Sequence, residues 1–258
     1  MPAKSKIVRL NAKATLKDNW TSAVIVSAVF LGVCLFSALC GGLLYNVGGV
    51  FLYFIFSFLF LVFLTIPLFL GTLDYFRAMA FGEGVRADRL FIPFSDAETY
   101  TRYLTFSLSL FVRLFVAFFV LSLPSSITRV LASSEFYTNM GLSVPVWTTA
   151  LSAVSSLLFA IAFVLFAVFI LKYFMAPFLF VSNRDLSAKE AINLSKIMTI
   201  GHRFEFVKLI FSLIFYIIIS LFLIPLFFTM PYFMTCYVVN CRFVVFDYNK
   251  RIKESMNV

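Results

Sequence analysis

The chain alternates long apolar runs with short connectors that are basic, polar or featureless. At about 20 residues per crossing, the runs predict six transmembrane helices, over residues 20–44, 51–73, 103–123, 148–171, 206–224 and 230–246. Two stretches have helical periodicity but too much polarity to cross. Over residues 1–19, Lys6, Arg9, Lys13 and Lys17 recur at spacings of three and four, and Ile7, Leu10 and Ala14 take another face, with Val8 and Leu16 near its edges. That pattern predicts either an amphipathic helix lying at an anionic membrane surface or a charged topogenic tail. Over residues 187–200, Ser187-Ala-Lys-Glu190 is a capping-box sequence opening a short cytoplasmic amphipathic helix. The expected fold is an all-α integral membrane protein, a single domain of six spans plus these two surface helices.

Proline and glycine punctuate the runs. Gly41-Gly42 and Gly48-Gly49 mark an uncharged connector, Pro67 predicts a kink, and Pro124 is expected to end the third span. The fourth apolar run extends past 171 to Val181, about 50 Å as one helix against a hydrocarbon core of ~30 Å, so a break is expected near Pro177.

Composition strengthens the membrane reading. The sequence is 62% hydrophobic and only 13% charged, too little charge to cover a soluble domain of this length. The net charge of +9 follows the positive-inside rule. With both termini, the Gly82 loop and the 172–208 segment in the cytoplasm, every Lys and Arg but Arg113 and Arg129 falls on or near that side. Nucleic-acid binding is therefore not expected. Cys34, Cys40, Cys236 and Cys241 lie inside apolar runs, at spacings that suit neither zinc nor redox pairs, and read as buried free thiols.

No catalytic motif, metal set or cofactor signature is present, so the chain is not read as an enzyme. The candidate polar or headgroup site comprises Asp74, Arg77, Arg113 and Lys172. Asp74 and Arg77 stand at ion-pair spacing, Arg113 sits near mid-span where a charge is costly, and Lys172 is placed to snorkel. Lys6, Arg9, Lys13 and Lys17 are candidate membrane-surface contacts. Lys189, Glu190, Asn193, Lys196 and the single histidine, His202, are candidates for docking a partner.

With these residues in view, the chain resembles the bacterial membrane family called domain of unknown function 975. The start Ala12-Lys13-Ala14-Thr15-Leu16-Lys17-Asp18-Asn19-Trp20 is similar to that family's opening. Gly71, Arg77 and Leu90-Phe-x-x-Phe94 are similar to its middle signature. The closest part runs from Tyr173 to Tyr232, through Glu190-Ala-Ile192, Gly201-His-Arg203-Phe204 and Pro231-Tyr232. Two departures are the missing Ile-Pro-Gly in the fourth span and Tyr216 where the family commonly has Trp. The resemblance implies a multi-pass protein of the bacterial inner membrane, distantly similar to the membrane domains of glycerophosphodiester phosphodiesterases. The leading expectation is non-enzymatic binding or transport of a lipid-like or amphipathic molecule, with membrane lipids as partners. The alternative is an accessory subunit whose 187–200 helix docks a cytoplasmic or membrane protein partner.

Overall fold

The first two apolar runs form one folded-back helical hairpin. In the computed structural model, which describes residues 4–256, α1 (Lys4–Lys17) is followed by α2 (Trp20–Phe60). α2 continues helically through the glycines expected to form a loop and reverses at Gly49 alone. There φ is +68° and ψ −163°, a conformation that a Cβ makes prohibitive. The return arm passes through a π-helical turn (Leu61–Thr65) into α3 (Ile66–Phe81). Its register is set by pairs lying nearly equidistant from Gly49. The Tyr45 and Tyr53 rings stand 6.3 Å apart, those of Phe30 and Phe69 6.1 Å apart, and the Tyr75 hydroxyl donates to Ser22 Oγ at 2.7 Å.

The π-helical turn has a local cause. Pro67 has no N–H for the Phe63 carbonyl four residues earlier, so the ladder loosens just before it. The Tyr100 hydroxyl donates to that carbonyl at 3.0 Å, so the proline leaves no orphan there.

α3 is the core helix of its unit: Leu68, Leu70, Leu73, Tyr75 and Phe76 are all buried. A 3-10 segment (Ala87–Phe94) lies against it, and Gly71 lets the two backbones meet. A Cβ on Gly71 would stand 2.1 Å from the Leu90 carbonyl oxygen. α4 (Ala97–Ala132) does not end at Pro124 as expected but runs through it. Pro124 withdraws the N–H that would bond the Val120 carbonyl four residues back, and just beyond it the Ser125 and Ser126 hydroxyls both donate to the Ser122 carbonyl within the same turn.

Residues 110–172 make one compact unit, and the other described residues make the second. In the first of these, the later part of α4 connects through α5 (Ser134–Asn139) to α6 (Thr148–Ile170). Ser155 Oγ donates to the Ser125 carbonyl at 2.9 Å, and the Phe118 and Phe166 rings meet at 5.2 Å, which fixes an antiparallel pair.

The fourth apolar run breaks as expected, slightly before the proline. α6 gives way to a 3-10 turn (Leu171–Tyr173), and α7 (Ala176–Ser182) opens with Pro177 in its first turn, where the missing N–H costs nothing. Arg102 ties α4 to the end of α7. Its Nη2 donates to the carbonyls of Phe180, Asn183 and Leu186 at 3.1–3.3 Å, and its guanidinium lies 4.1 Å from the Phe180 ring centre.

α8 (Ala188–Met198) starts at the predicted capping box. Glu190 N–H donates to Ser187 Oγ, and the Ser187 N–H and hydroxyl both donate to the Glu190 carboxylate. These bonds hold the Glu190 pKa below its ordinary value. A depressed carboxylate pKa stabilises the fold above the unfolded-state pKa, and that contribution is lost as pH falls through the folded-state value. The protection factors of the Ala188–Ala191 amides, taken relative to intrinsic exchange, are therefore expected to fall on going from pH 6 to pH 3. Glu190→Gln should remove most of that pH dependence.

The 206–224 run differs from the expected fifth span. It forms α9 (Arg203–Ser212) and α10 (Ile214–Ile219), separated at Leu213 and followed by a turn at 220–222. Ser212 and Ser220 each donate to the carbonyl three residues back, competing with helix continuation. At 1.5 Å per residue, neither piece exceeds about 15 Å. The last helix, α11 (Leu223–Met256), is longer than the predicted 230–246 span, and Cys236, Val238, Cys241 and Val244 on it are fully buried. Among the described residues there is no strand, and three helical stretches are long and apolar enough to cross a membrane: Trp20–Phe81, Ala97–Ala132 and Thr148–Ser182.

Candidate functional site

The basic amino-terminal helix contributes to a cavity. α1 packs against α11 through Val8, Ala12 and Leu16, all fully buried at i, i+4 spacing. The inward face is therefore this row, not Ile7, Leu10 and Ala14. Leu10 is 58% exposed. Sequence periodicity placed Val8 and Leu16 at the edge of the apolar face because small and apolar residues occur almost all round this helix.

That packing leaves a cavity of about 430 Å³ between α1, the start of α2, α10 and α11. Lys13 and Lys17 line one side with Leu16. Trp20, Tyr216, Phe228, Thr229 and Tyr232 line the rest. The volume is that of a small-ligand site. The Tyr216 and Tyr232 rings stand 5.2 Å apart, and the buried Tyr232 hydroxyl lies beside the Cys236 thiol. On the same helix as the lysines, Arg9 Nη1 donates to the Ser212 carbonyl at 3.4 Å, while its Nε is buried and unpaired among the described residues. Lys6 is exposed. The chemistry available is an aromatic, almost wholly apolar chamber flanked by two exposed lysines of α1, suited to the apolar part of an amphiphile.

The aromatic members of this site were not among the residues singled out by charge. Their signal lay in the family pattern, where Trp20, Pro231-Tyr232 and the position of Tyr216 all stand out.

Asp74 and Arg77 form the predicted i, i+3 ion pair at 2.9 Å, within a larger network. Arg77 also donates twice to Glu83 at 2.9 Å, and Arg89 reaches Asp74 at 3.4 Å and the Glu83 carbonyl at 3.3 Å. Two cations and two carboxylates thus neutralise each other around the end of α3, which makes this a tether for the 3-10 segment. Arg113 and Lys172 belong to the 110–172 unit. Arg113 Nη1 is buried and makes no hydrogen bond among the described residues, and Lys172 Nζ lies 5.1 Å from the Phe169 ring centre.

On α8, Lys189, Glu190 and Asn193 face outward, and Lys196 donates to Asn193 and lies over the Tyr173 ring. His202 does not share that outward face. It is 4% exposed, with Nδ1 3.0 Å from Glu205 Oε2, because Gly201 turns the chain back and tucks the imidazole beneath α11 near Tyr248 and Arg251. Among the described residues no group of three His, Cys, Asp or Glu side chains is placed to hold a metal ion. The four cysteines are free, with Cys236 and Cys241 buried.

An all-helical chain with three apolar stretches of crossing length defines the class, a helical protein built for a membrane. The chain belongs to the family described as protein of unknown function (DUF975), whose model matches residues 1–244. No curated protein and no solved structure matches it.

Proposed function

We propose that this chain is a non-enzymatic protein of the bacterial inner membrane that binds or moves a lipid-like molecule with an anionic end. The cavity beside α1 is the binding site. The observation that carries this reading is the pairing of Lys13 and Lys17 with a chamber of Trp20, Tyr216, Phe228 and Tyr232. Aromatic side chains of this kind favour the headgroup level of a bilayer, and lysines there attract anionic lipid. The distribution of Lys and Arg supports an orientation with α1, the cavity and both termini on the cytoplasmic side.

Lys13 and Lys17 are exposed at the surface of α1, so neutralising them leaves its buried row intact. The variant Lys13→Gln/Lys17→Gln is expected to weaken retention of phosphatidylglycerol by up to about 2 kcal/mol, at about 1 kcal/mol per basic residue near the surface, or roughly thirtyfold. Native mass spectrometry of protein reconstituted with mixed phosphatidylglycerol and phosphatidylcholine reads this directly. Equal occupancy by the anionic lipid in the parent and the double variant would remove the cavity from the proposal.

A further inference from the structure

We propose that residues 210–228 form a re-entrant hairpin, which enters the bilayer from the face carrying α1 and returns to it without crossing. Three observations on the same unit point this way.

The first is length. Tyr232 and Thr229 on α11 share the cavity wall with Trp20, the residue at which the chain leaves α1 for its long apolar hairpin. From that level α11 has only nine residues back to its start at Leu223, about 15 Å, whereas α2 continues from Trp20 to Gly49, about 40 Å. A hydrocarbon core is ~30 Å thick, so the α2 arm is long enough to traverse it and the α10–α11 hairpin reaches about halfway.

The second is how far α2 is covered. α11 packs on α2, and the buried residues of α2 are Ala23, Val26, Ser27 and Gly41. Gly41 is approached by Tyr53 and Ser57 of its own hairpin, so the other three mark the covered part of the helix. Burial there ends at Ser27, two turns from the start of α2. A pair of full-length helices beside it would extend the covered stretch towards Gly49.

The third is what the hairpin presents. Phe211, Phe215, Leu221 and Phe222 are 65–82% exposed, and the 210–228 stretch carries no charged residue. An uncharged apolar tip belongs in acyl chains, not in water. Its turn at 220–222 is protected by local bonds, Ser220 N–H to the Tyr216 carbonyl and the Leu221 and Phe222 N–H groups to the carbonyls of Ile218 and Ile219. Non-helical backbone at membrane depth requires such internal satisfaction. The occupant of this surface is therefore the lipid of a single leaflet, and the cavity at the hairpin's base opens to that leaflet. The inference rests on the membrane reading but not on the cavity having a ligand.

Labelling of introduced cysteines in sealed vesicles of both orientations tests it, using a membrane-impermeant maleimide, with the signal of the parent chain and its four native cysteines subtracted as background. Thiol alkylation needs a hydrated thiolate, so Ser220→Cys and Leu221→Cys are expected to label at least roughly tenfold less than exposed control sites from either side. Both should label fully after SDS denaturation. The controls are Val47→Cys at the tip of the long hairpin, expected to label from the face opposite α1, and Asn193→Cys on α8, expected to label from the α1 face. Labelling of Ser220→Cys or Leu221→Cys from the Val47 face would show a complete crossing. Labelling of either from the Asn193 face would place the hairpin in water. Either result overturns the proposal. Equal lipid occupancy in the parent and the lysine variant would leave these labelling patterns unchanged, so the two readings fail separately.

Discussion

Gly71→Ala is expected to destabilise the protein by about 2–4 kcal/mol and to free the 82–96 segment, against the sign that helix propensity alone predicts. In a helix interior, alanine is favoured over glycine by about 1 kcal/mol. At Gly71 that gain is outweighed. The added methyl would stand 2.1 Å from the Leu90 carbonyl oxygen, 2.9 Å from its carbon and 3.0 Å from Pro93 Cδ. Two of these atoms are backbone, so no rotamer change relieves the contact, and the 3-10 segment must move off α3. Moving it uncovers Leu90, now 1% exposed, whose burial is worth roughly 2 kcal/mol, and strains the packing of Pro93. Gly32→Ala is the matched control, since a Cβ there meets nothing within 4 Å. It is expected to be neutral or stabilising by up to about 1 kcal/mol. Unfolding in mixed detergent micelles, with limited proteolysis of the 82–96 loop, checks both. A Gly71→Ala protein as stable as Gly32→Ala would show that the close approach is not maintained in solution.

The parts of this fold legible in the sequence were those decided by neighbours along the chain. Ser187 and Glu190 cap α8 because three residues separate them, and Asp74 meets Arg77 for the same reason. The break before Pro177 follows from a missing donor and an apolar run too long for one span. What sequence pattern did not reveal depends on residues far apart. The glycines at 41, 42 and 48 read as loop, yet helix persists through them and only Gly49 turns, because ring pairs such as Tyr45–Tyr53 close the hairpin around that point. The 206–224 run has the hydropathy of a span, which averages away the breaks at Leu213 and 220–222. His202 looks like a surface residue by position, and is buried by a helix that begins some twenty residues later in the chain. The cavity was hidden for a related reason. Its lysines belong to the first helix, Trp20 to the start of the second and its other aromatics to the last two, and no local periodicity links them.

Asp74→Ala is expected to cost about 2–3 kcal/mol, while removal of the neighbouring Asp88 costs almost nothing. Both carboxylates pair with an arginine at 2.8–2.9 Å, so distance does not distinguish them. Surroundings do. The Arg86–Asp88 side chains are 77% and 61% exposed, and ion pairs in water contribute about 0–1 kcal/mol. Asp74 is 6% exposed and its partners Arg77 and Arg89 are 14% and 21% exposed. Without Asp74, two half-shielded guanidinium groups share the single carboxylate of Glu83, and the network acquires a net positive charge. Breaking a fully buried pair costs about 3–5 kcal/mol, and the smaller figure here reflects Glu83, which is 41% exposed and remains bonded to Arg77. Asp74→Asn keeps one acceptor and should fall between Ala and the parent. A double-mutant cycle with Arg77→Ala isolates the pair, with an expected coupling of about 1–2 kcal/mol. Because Arg89 sits in the same 3-10 segment as Leu90, loss of Asp74 should also increase proteolysis of residues 82–96, as Gly71→Ala does. An Asp74→Ala protein with parental stability and an intact loop would mean that the carboxylate does not tether this segment. Gly71 packing would then be left as what holds it to α3.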